Sequence, residues 1–279
     1  MDFPGRSVRM VTGSAPLVAL VVLAALLLSA CSDPARVDPE GDPDQVDAVE
    51  APPLGACRQL SLEETAAVTN ATRIVDCAKP HTAQTYAVGD LPEEFAEADY
   101  DSAEVGAFAY RTCTSELIKF LGGDESITMR SILGWSWFRP SEKAWDKGAR
   151  WYRCDVTGGA GPQSASLVPL PEKAKGLLQG RPDDAWMACA AEPAFSEAAK
   201  VPCSEDHLWR AVTTIKLGEI NDPYPGDEAV EAQTGKFCQG SVKAYLNYPD
   251  DFEFAYTWFG EKDWAAGNRR SVCWAKTDE

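Results

Sequence analysis

The chain has 279 residues, of which 45% are hydrophobic and 25% are charged, and its formal net charge is −17 at pH 7. So acidic a protein is repelled by nucleic acid phosphates and by anionic lipid headgroups, and we therefore expect no nucleic acid partner. The chain contains nine cysteines and two histidines, and these residues are rare enough for their positions to be informative.

The first 30 residues are predicted to be a signal peptide. Arg6 and Arg9 form a short basic region, an apolar stretch follows over residues 17–28, and small residues precede Cys31. This order is typical of export signals. The sequence Leu-Ser-Ala-Cys that ends at Cys31 resembles the lipobox of bacterial lipoproteins, which implies a diacylglycerol on that thiol and cleavage before it. The alternative is an uncleaved signal anchor, and either reading places the rest of the chain outside the plasma membrane.

Residues 31–53 are predicted to be a lipidated cysteine followed by a disordered tether. The segment is rich in Asp, Glu and Pro, and its only large aliphatic residues are three valines. Such a segment buries too little apolar surface to offset the entropy lost on ordering. We therefore expect the folded part to stand off the outer face of the membrane, held through the lipid on Cys31.

The remainder of the chain contains the same framework twice. Each copy has four cysteines, a Val-x-Cys-x3-His block and a Trp-x2-Gly-x-Arg-x3-Cys block, and the two histidines are His81 and His207. The cysteines are Cys57, Cys77, Cys113 and Cys154 in the first copy and Cys189, Cys203, Cys238 and Cys273 in the second. This self-similarity predicts a tandem duplication. We place the first repeat at residues 54–157, a connector at residues 158–182 and the second repeat at residues 183–279.

Each repeat is predicted to form a small antiparallel sheet with one helix. In the first repeat Ser61 and Glu64 have the spacing of a capping box before a short helical turn. A strand is expected over residues 83–88 and a helix over residues 106–121, which ends at a Gly-Gly pair. Alternating apolar residues indicate a further strand, and a final strand carries Cys154. The apolar stripe of the helix comprises Cys113, Leu117, Phe120 and Leu121, and the next strand carries Leu133, Trp135 and Trp137.

The second repeat follows the same order. Strands are expected over residues 208–215, 252–258 and 271–274, and the apolar stripe of the helix comprises Cys238, Val242, Tyr245 and Leu246. We therefore predict an α+β fold in which two disulfide-stapled units form one pseudo-symmetric body. Aromatic strands of this kind are typical of a core, but the face of residues 252–258 also suits stacking on a sugar, so a cell-wall glycan stays an open ligand.

The eight cysteines beyond Cys31 are expected to form disulfides, because the chain is exported. Four cysteines in a repeat allow three pairings. The short first intervals suit neighbouring antiparallel strands, and the long ones suit a helix joined to a later strand. This favours Cys57–Cys77, Cys113–Cys154, Cys189–Cys203 and Cys238–Cys273. A zinc site is disfavoured, because no two cysteines have the Cys-x2-4-Cys spacing and each repeat has one histidine.

Four residues are candidates for binding. His81 and His207 are suited to ligand binding or proton transfer, although a loop position after a cysteine also suits a structural role. Arg150 and Arg269 could bind an anion, or they could stabilise a turn in which Gly148 or Gly267 adopts an unusual backbone conformation. We expect no catalytic residues, no metal and no cofactor, because the sequence contains no phosphate loop or zincin motif.

The paired Cys-x3-His blocks and the Trp-x2-Gly-x-Arg-x3-Cys closures resemble the actinobacterial septum-formation family over nearly all of residues 54–279. The resemblance implies a role in division or envelope growth and brings no catalytic residues. The sequence therefore predicts a non-enzymatic, membrane-anchored envelope lipoprotein that binds a protein partner of the envelope or of division. The alternatives are a cell-wall hydrolase or transferase, and an extracytoplasmic receptor for a solute or a metal.

Overall fold

The computed structural model describes residues 41–159, 166–192, 200–219 and 221–277. All of them belong to one compact unit, Pro39–Glu279. The predicted signal peptide and Cys31 lie outside the described residues.

The first repeat is built on a five-stranded antiparallel sheet. Its strands are β1 (Cys57–Arg58), β2 (Ile74–Val75), β3 (Ala83–Asp90), β4 (Leu133–Phe138) and β5 (Trp151–Gly158). Their order across the sheet is β2-β1-β3-β5-β4.

The second repeat contains the same sheet. Its strands are β6 (Ala188–Ala190), β7 (Lys200–Pro202), β8 (Trp209–Lys216), β9 (Phe254–Thr257) and β10 (Arg270–Lys276). Their order is β7-β6-β8-β10-β9. This is the order of the first sheet when each strand is replaced by its equivalent in the second repeat. Both sheets also have a register shift between their two long central strands. The predicted α+β duplication is thus confirmed.

Seven helices accompany the sheets in the described residues. They are α1 (Asp44–Asp47), α2 (Leu62–Ala66), α3 (Ala103–Leu121), α4 (Glu125–Met129), α5 (Glu142–Trp145), α6 (Asp227–Tyr245) and α7 (Glu261–Ala266). The long helices α3 and α6 have 19 residues each and occupy equivalent positions. Short 3-10 turns occur at Glu93–Phe95 and Asp184–Trp186.

Local sequence signals explain several helix ends. The Ser61 side chain accepts from the Glu64 backbone N–H while the Glu64 carboxylate accepts from the Ser61 N–H, so the predicted capping box opens α2. Helix α3 ends at Gly122, which has φ +75°, a conformation that favours glycine. The apolar stripe of α6 is one residue shorter than predicted, because Tyr245 lies at the end of the helix with 52% of its surface exposed.

Four disulfides, two in each repeat, join the elements of the fold. They are Cys57–Cys77, Cys113–Cys154, Cys189–Cys203 and Cys238–Cys273, the pairs that the spacing favoured. In each repeat one bridge joins a short strand, at Cys57 or Cys189, to the turn that follows the neighbouring edge strand. The other fastens the long helix to the last strand, and all four cysteines of these helix–strand bridges are fully buried.

The long helix covers one face of each sheet. On the first sheet α3 packs against Tyr86, Ala87 and Val156, and on the second α6 packs against Val212 and Ala275. The opposite face of the second sheet is apolar and is covered by Ile132 and Val168 of the preceding chain, together with Trp186. The two repeats therefore share one core.

Hydrogen bonds also join the repeats. The Arg270 Nε donates to the Glu125 carboxylate at 2.5 Å, and Arg130 donates to the Val212 carbonyl at 3.1 Å. The Ala188 N–H donates to the Arg130 carbonyl at 2.8 Å. These contacts between groups far apart in the chain give the repeats a defined relative position.

The described part of the connector is packed rather than extended over solvent. Leu170, Ala174 and Leu178 are buried in the core of the first repeat. The Leu170 N–H donates to the His81 carbonyl at 2.9 Å, and the Leu178 N–H donates to the Leu121 carbonyl at 2.9 Å. The leucines between the glycines and prolines of this segment supply the apolar surface that makes this packing favourable.

Residues 41–53, which the composition assigned to the tether, also lie against the first repeat. The Trp151 Nε1 donates to the Ala48 carbonyl at 3.1 Å, and Ser141 Oγ donates to the Asp47 carboxylate at 2.6 Å. Polar contacts to the folded repeat hold this segment in place. Its low apolar content therefore did not predict its structure correctly.

Candidate functional site

Both predicted histidines occupy the same position in their repeats. His81 is fully buried and His207 is 4% exposed. The Nδ1 of each bonds to a carbonyl two residues earlier, Lys79 at 2.9 Å and Glu205 at 2.8 Å. Because a carbonyl can only accept, Nδ1 carries the proton of this bond and the ring closes its own Cys-x3-His turn. The Nε2 of both rings is buried without a hydrogen-bond partner in the described part of the chain.

The surroundings of the two rings differ. Among the described residues, the one group of three potential metal ligands consists of Cys189, Cys203 and His207, whose ligand atoms lie within 4.8 Å of one another. Both sulfur atoms are joined in a disulfide, and a metal ion requires thiolates. The oxidised corner is therefore unsuited to a metal.

In the first repeat a glutamine lies beside the equivalent bridge. The Gln84 Nε2 lies 3.6 Å from the Cys57 sulfur, and its Oε1 accepts from the Ala174 N–H at 3.1 Å. The equivalent residue of the second repeat is Arg210, since it pairs with Cys189 as Gln84 pairs with Cys57. The two Cys-x3-His corners thus share a backbone turn and not a common binding site.

The predicted arginines close equivalent corners. The guanidinium of Arg150 lies 4.0 Å from the centroid of the Trp145 ring, and that of Arg269 lies 3.7 Å from that of Trp264. The turn residues before them, Gly148 and Gly267, have φ +93° and φ +116°, as the motif predicted.

The donors of each arginine bind backbone carbonyls of its own repeat. Arg150 donates to Trp145 at 2.8 Å and to Ala96 at 3.0 Å. Arg269 donates to Trp264 at 2.5 Å and to Glu219 at 3.2 Å. This arrangement stabilises the corner and uses donors that an anion would otherwise bind.

A buried charge network in the first sheet escaped the sequence analysis. Arg58, Arg153 and Asp155 are fully buried on the face opposite α3. The Asp155 carboxylate lies 3.0 Å from the Arg153 Nη2 and 3.8 Å from the Arg58 Nη1. Burial and the like charge of Arg153 lower the pKa of Arg58 to about 10. Arg153 and Asp155 alternate with Cys154 along β5, and two charges at a period of two in an apolar strand were the signal that could have revealed the network.

Neutral side chains complete the network. Thr85 Oγ1 donates to Asp155 at 2.7 Å and accepts from Arg58 Nη1 at 2.8 Å. Gln45 accepts from Arg58 at 2.9 Å, and Asn70 accepts from Arg153 at 3.0 Å. Since Gln45 belongs to the N-terminal segment, the network links that segment to the sheet.

The disulfides indicate the compartment in which the protein folds. Four disulfides are typical of a protein that folds outside the reducing cytoplasm, and the folded part is accordingly extracytoplasmic. Every helix between residues 41 and 277 that the structure describes is too short or too polar to span a bilayer.

The sequence relationships agree with the duplicated fold. The septum formation family matches the chain twice, over residues 25–139 and 131–273. No curated protein and no solved structure matches the chain. The two matches together span most of the chain. The first contains β1 to β4, and the second contains β4 and β5 together with β6 to β9 and the start of β10. The protein therefore belongs to the septum formation family, in which it carries two copies of the characteristic repeat.

Proposed function

We propose that the protein is an envelope lipoprotein that binds a protein partner during septum formation. Its family is linked to septum formation and is not a family of known enzymes. The lipobox-like sequence at Cys31 supports anchoring through a diacylglycerol on the outer face of the plasma membrane. The disulfide-stapled body then acts at a short distance from the membrane.

The aromatic edge of the second sheet carries the proposal for a protein partner. Strand β9 has a neighbouring strand on one side only in the described residues, and its four residues are uncharged. Four aromatic rings lie along this edge, with successive centroids 5.6–6.3 Å apart. They belong to Phe252, Phe254, Tyr256 and Trp258.

Phe252, Phe254 and Tyr256 are partly buried and pack against the core formed with α6. Trp258, at one end of the row, is 41% exposed. An open strand edge offers backbone hydrogen bonds to an added strand, and exposed aromatic rings are frequent anchors at protein interfaces. A partner segment that pairs with β9 would form these backbone hydrogen bonds and would also contact the exposed ring of Trp258.

The alternative of a wall-acting hydrolase receives less support. The acidic pair at Asp183 and Asp184 borders a polar groove of about 670 Å³, where a catalytic acid would be sought. A hydrogen bond from Arg210, together with its charge, lowers the pKa of Asp184. This carboxyl is therefore ionised at neutral pH and is unsuited to act as a general acid.

Site-specific cross-linking in living cells tests the partner. A photoreactive amino acid at Trp258 should capture a defined protein, whereas the same group at Leu54, which is 67% exposed on the first repeat, should not. The captured protein should then bind the purified chain, and Trp258→Ala should weaken this binding about tenfold. Recovery of glycan fragments alone would contradict a protein partner.

Anchoring and location are tested separately. Cys31→Ser should abolish incorporation of a labelled fatty acid and release the protein from the membrane fraction if the lipobox is used. A tagged wild-type copy should concentrate at the division site, and a uniform signal along the envelope would contradict the septal role.

A further inference from the structure

A cavity lies where the two repeats meet. It is bounded by α3, α4 and β4 of the first repeat and by the turn that follows α7 in the second. Its volume is about 210 Å³. A cavity of roughly 150 Å³ holds one benzene ring, whereas pockets for drug-sized molecules reach about 300–1,000 Å³. The space therefore suits a single substituted ring.

The inner part of the cavity is apolar. Leu117 and Leu133 are buried there, and Ile118 and Met129 complete the lining. Thr114 also contributes, but its Oγ1 is buried without a hydrogen-bond partner in the described residues. Apart from this one hydroxyl the floor is apolar, so it favours an apolar group over a polyhydroxylated one, most of whose hydroxyls would be buried there without a partner.

The outer rim is polar and electrically balanced. Burial, with the nearby charges of Asp263 and Glu125, raises the pKa of Tyr110 to about 12, so its phenol is a hydrogen-bond donor at neutral pH. Glu125 accepts from the Arg270 guanidinium at 2.5 Å, and this ion pair offsets its charge. Asn268 accepts from the Arg270 backbone N–H at 2.9 Å through Oδ1, and its Nδ2 is a further donor. A neutral ligand fits such a rim better than a charged one.

One wall of the cavity is aromatic. The rings of Tyr110 and Trp135 pack edge to face, with centroids 5.5 Å apart. The second repeat adjoins this wall through Gly267, where an added Cβ would lie 3.1 Å from the Tyr110 ring. The absence of a side chain there lets the two repeats approach closely enough to form the site.

We propose that this cavity binds a small neutral amphipathic molecule whose apolar ring lies on the floor and whose one hydrogen-bonding group meets the rim. The site belongs to neither repeat alone, so it goes beyond the partner surface proposed for β9. The ligand contacts α3 and α4 on one side and the Gly267 turn on the other, and it therefore stabilises the relative position of the repeats.

Titration of the full chain in lipid nanodiscs tests this proposal. Phenol and cyclohexanol are the probes, glucose is the hydrophilic comparison, and empty nanodiscs correct for partition into lipid. Saturation-transfer NMR should show saturable binding of both probes, with Kd values in the millimolar range or below, and no binding of glucose. The same probes should raise Tm in a concentration-dependent way.

Two variants of one helix locate the binding. Thr114→Leu fills the cavity and removes a hydroxyl that has no partner in the described part of the chain, so the variant should fold normally and bind phenol about tenfold more weakly. Thr112→Leu makes the same change two residues away on α3, outside the cavity lining, and should bind phenol like the wild type.

A third variant tests the rim. Asn268→Asp retains the Oδ1 that accepts from the Arg270 N–H and removes the amide donors, so it should weaken binding about fivefold through the lost hydrogen bond. The proposal is overturned if phenol fails to bind, if glucose binds in its place, or if Thr112→Leu weakens phenol binding as much as Thr114→Leu.

Discussion

The two sheets have the same strand order, yet one of their equivalent faces carries charged side chains in the first sheet and apolar side chains in the second. On the face away from the long helix, β5 presents Arg153 and Asp155, whereas β10 presents Val272 and Trp274. These positions correspond because Cys154 and Cys273 make the equivalent bridges. One face is a buried ionic network and the other is an apolar core.

The difference follows from what covers each face. The polar segment at residues 41–53 lies over the first sheet and supplies Gln45 to the network. The first repeat itself lies over the second sheet, through apolar residues such as Ile132. A duplicated fold thus tolerates opposite side chains at equivalent positions when each face acquires a matching cover, since buried charges need partners and buried apolar groups need only close packing.

The largest expected effect comes from breaking the ionic network. Asp155→Ala leaves two buried guanidinium groups without their carboxylate and should lower the free energy of unfolding by about 3–5 kcal/mol. Chemical denaturation with the disulfides intact measures it. The triple variant Arg58→Met, Arg153→Met and Asp155→Leu makes this face apolar like that of the second sheet. It should cost less than the single change, and a larger cost would contradict the equivalence of the two faces.

Removal of the helix–strand bridges should affect both repeats almost equally. The bridges span 41 residues in the first repeat and 35 in the second, and loops of this length predict a loss of about 4 kcal/mol each. The double variants Cys113→Ser/Cys154→Ser and Cys238→Ser/Cys273→Ser should therefore have similar unfolding midpoints. Non-reducing peptide mapping of the wild type checks the pairing itself, and a Cys57–Cys154 peptide would contradict it.

The arginine corners should show a smaller and unequal effect. Arg269 is buried and Arg150 is partly exposed. Water can therefore replace the carbonyl partners of Arg150 more easily than those of Arg269. Arg269→Met should lower the free energy of unfolding by about 2 kcal/mol and Arg150→Met by about 1 kcal/mol. Equal losses in thermal unfolding would show that burial does not distinguish the corners.

The smallest expected effect is a dependence on pH that is confined to the cover of the first sheet. Hydrogen bonds from Lys143 and Ser141 hold the pKa of Asp47 below its usual 3.8. Because the folded pKa is below the unfolded one, this stabilisation is complete above about pH 4 and is lost as pH falls through the folded value.

Hydrogen exchange checks this last prediction. Exchange over residues 41–53 should accelerate below pH 4 relative to β8, after correction for intrinsic rates. Asp47→Asn should remove this pH dependence, and an unchanged dependence in that variant would assign it to another carboxyl.

Much of the fold was predictable from local patterns. The capping box at Ser61, the helix around Cys113 and the glycine turns at Gly148 and Gly267 depend on residues close in the chain. The predicted strand over residues 252–258 is shorter in the structure, at Phe254–Thr257. Pairing with β10 defines its ends, and alternation in the sequence continues past the last paired residue.

The candidate site was less predictable. The motif that contains Arg150 and Arg269 suggested either anion binding or a turn, and only the positions of the carbonyls favour the turn. The cavity where the repeats meet was not predicted, because Tyr110 and Asn268 lie 158 positions apart and the motif that contains Asn268 does not specify which distant residues it will face.

The sequence by itself determined the duplication, the helix and the final strand that carry the helix–strand bridge of each repeat, and the membership of a family. Uncommon residues at repeated spacing and short-range periodicity carry that information. Only the tertiary structure decided which sheet face holds Asp155 and its arginines, that residues 41–53 cover this face, and that a cavity lies where the repeats meet. The physical reason is that burial and charge pairing depend on neighbours brought together by folding, and a linear pattern does not specify which distant segment will cover a given face.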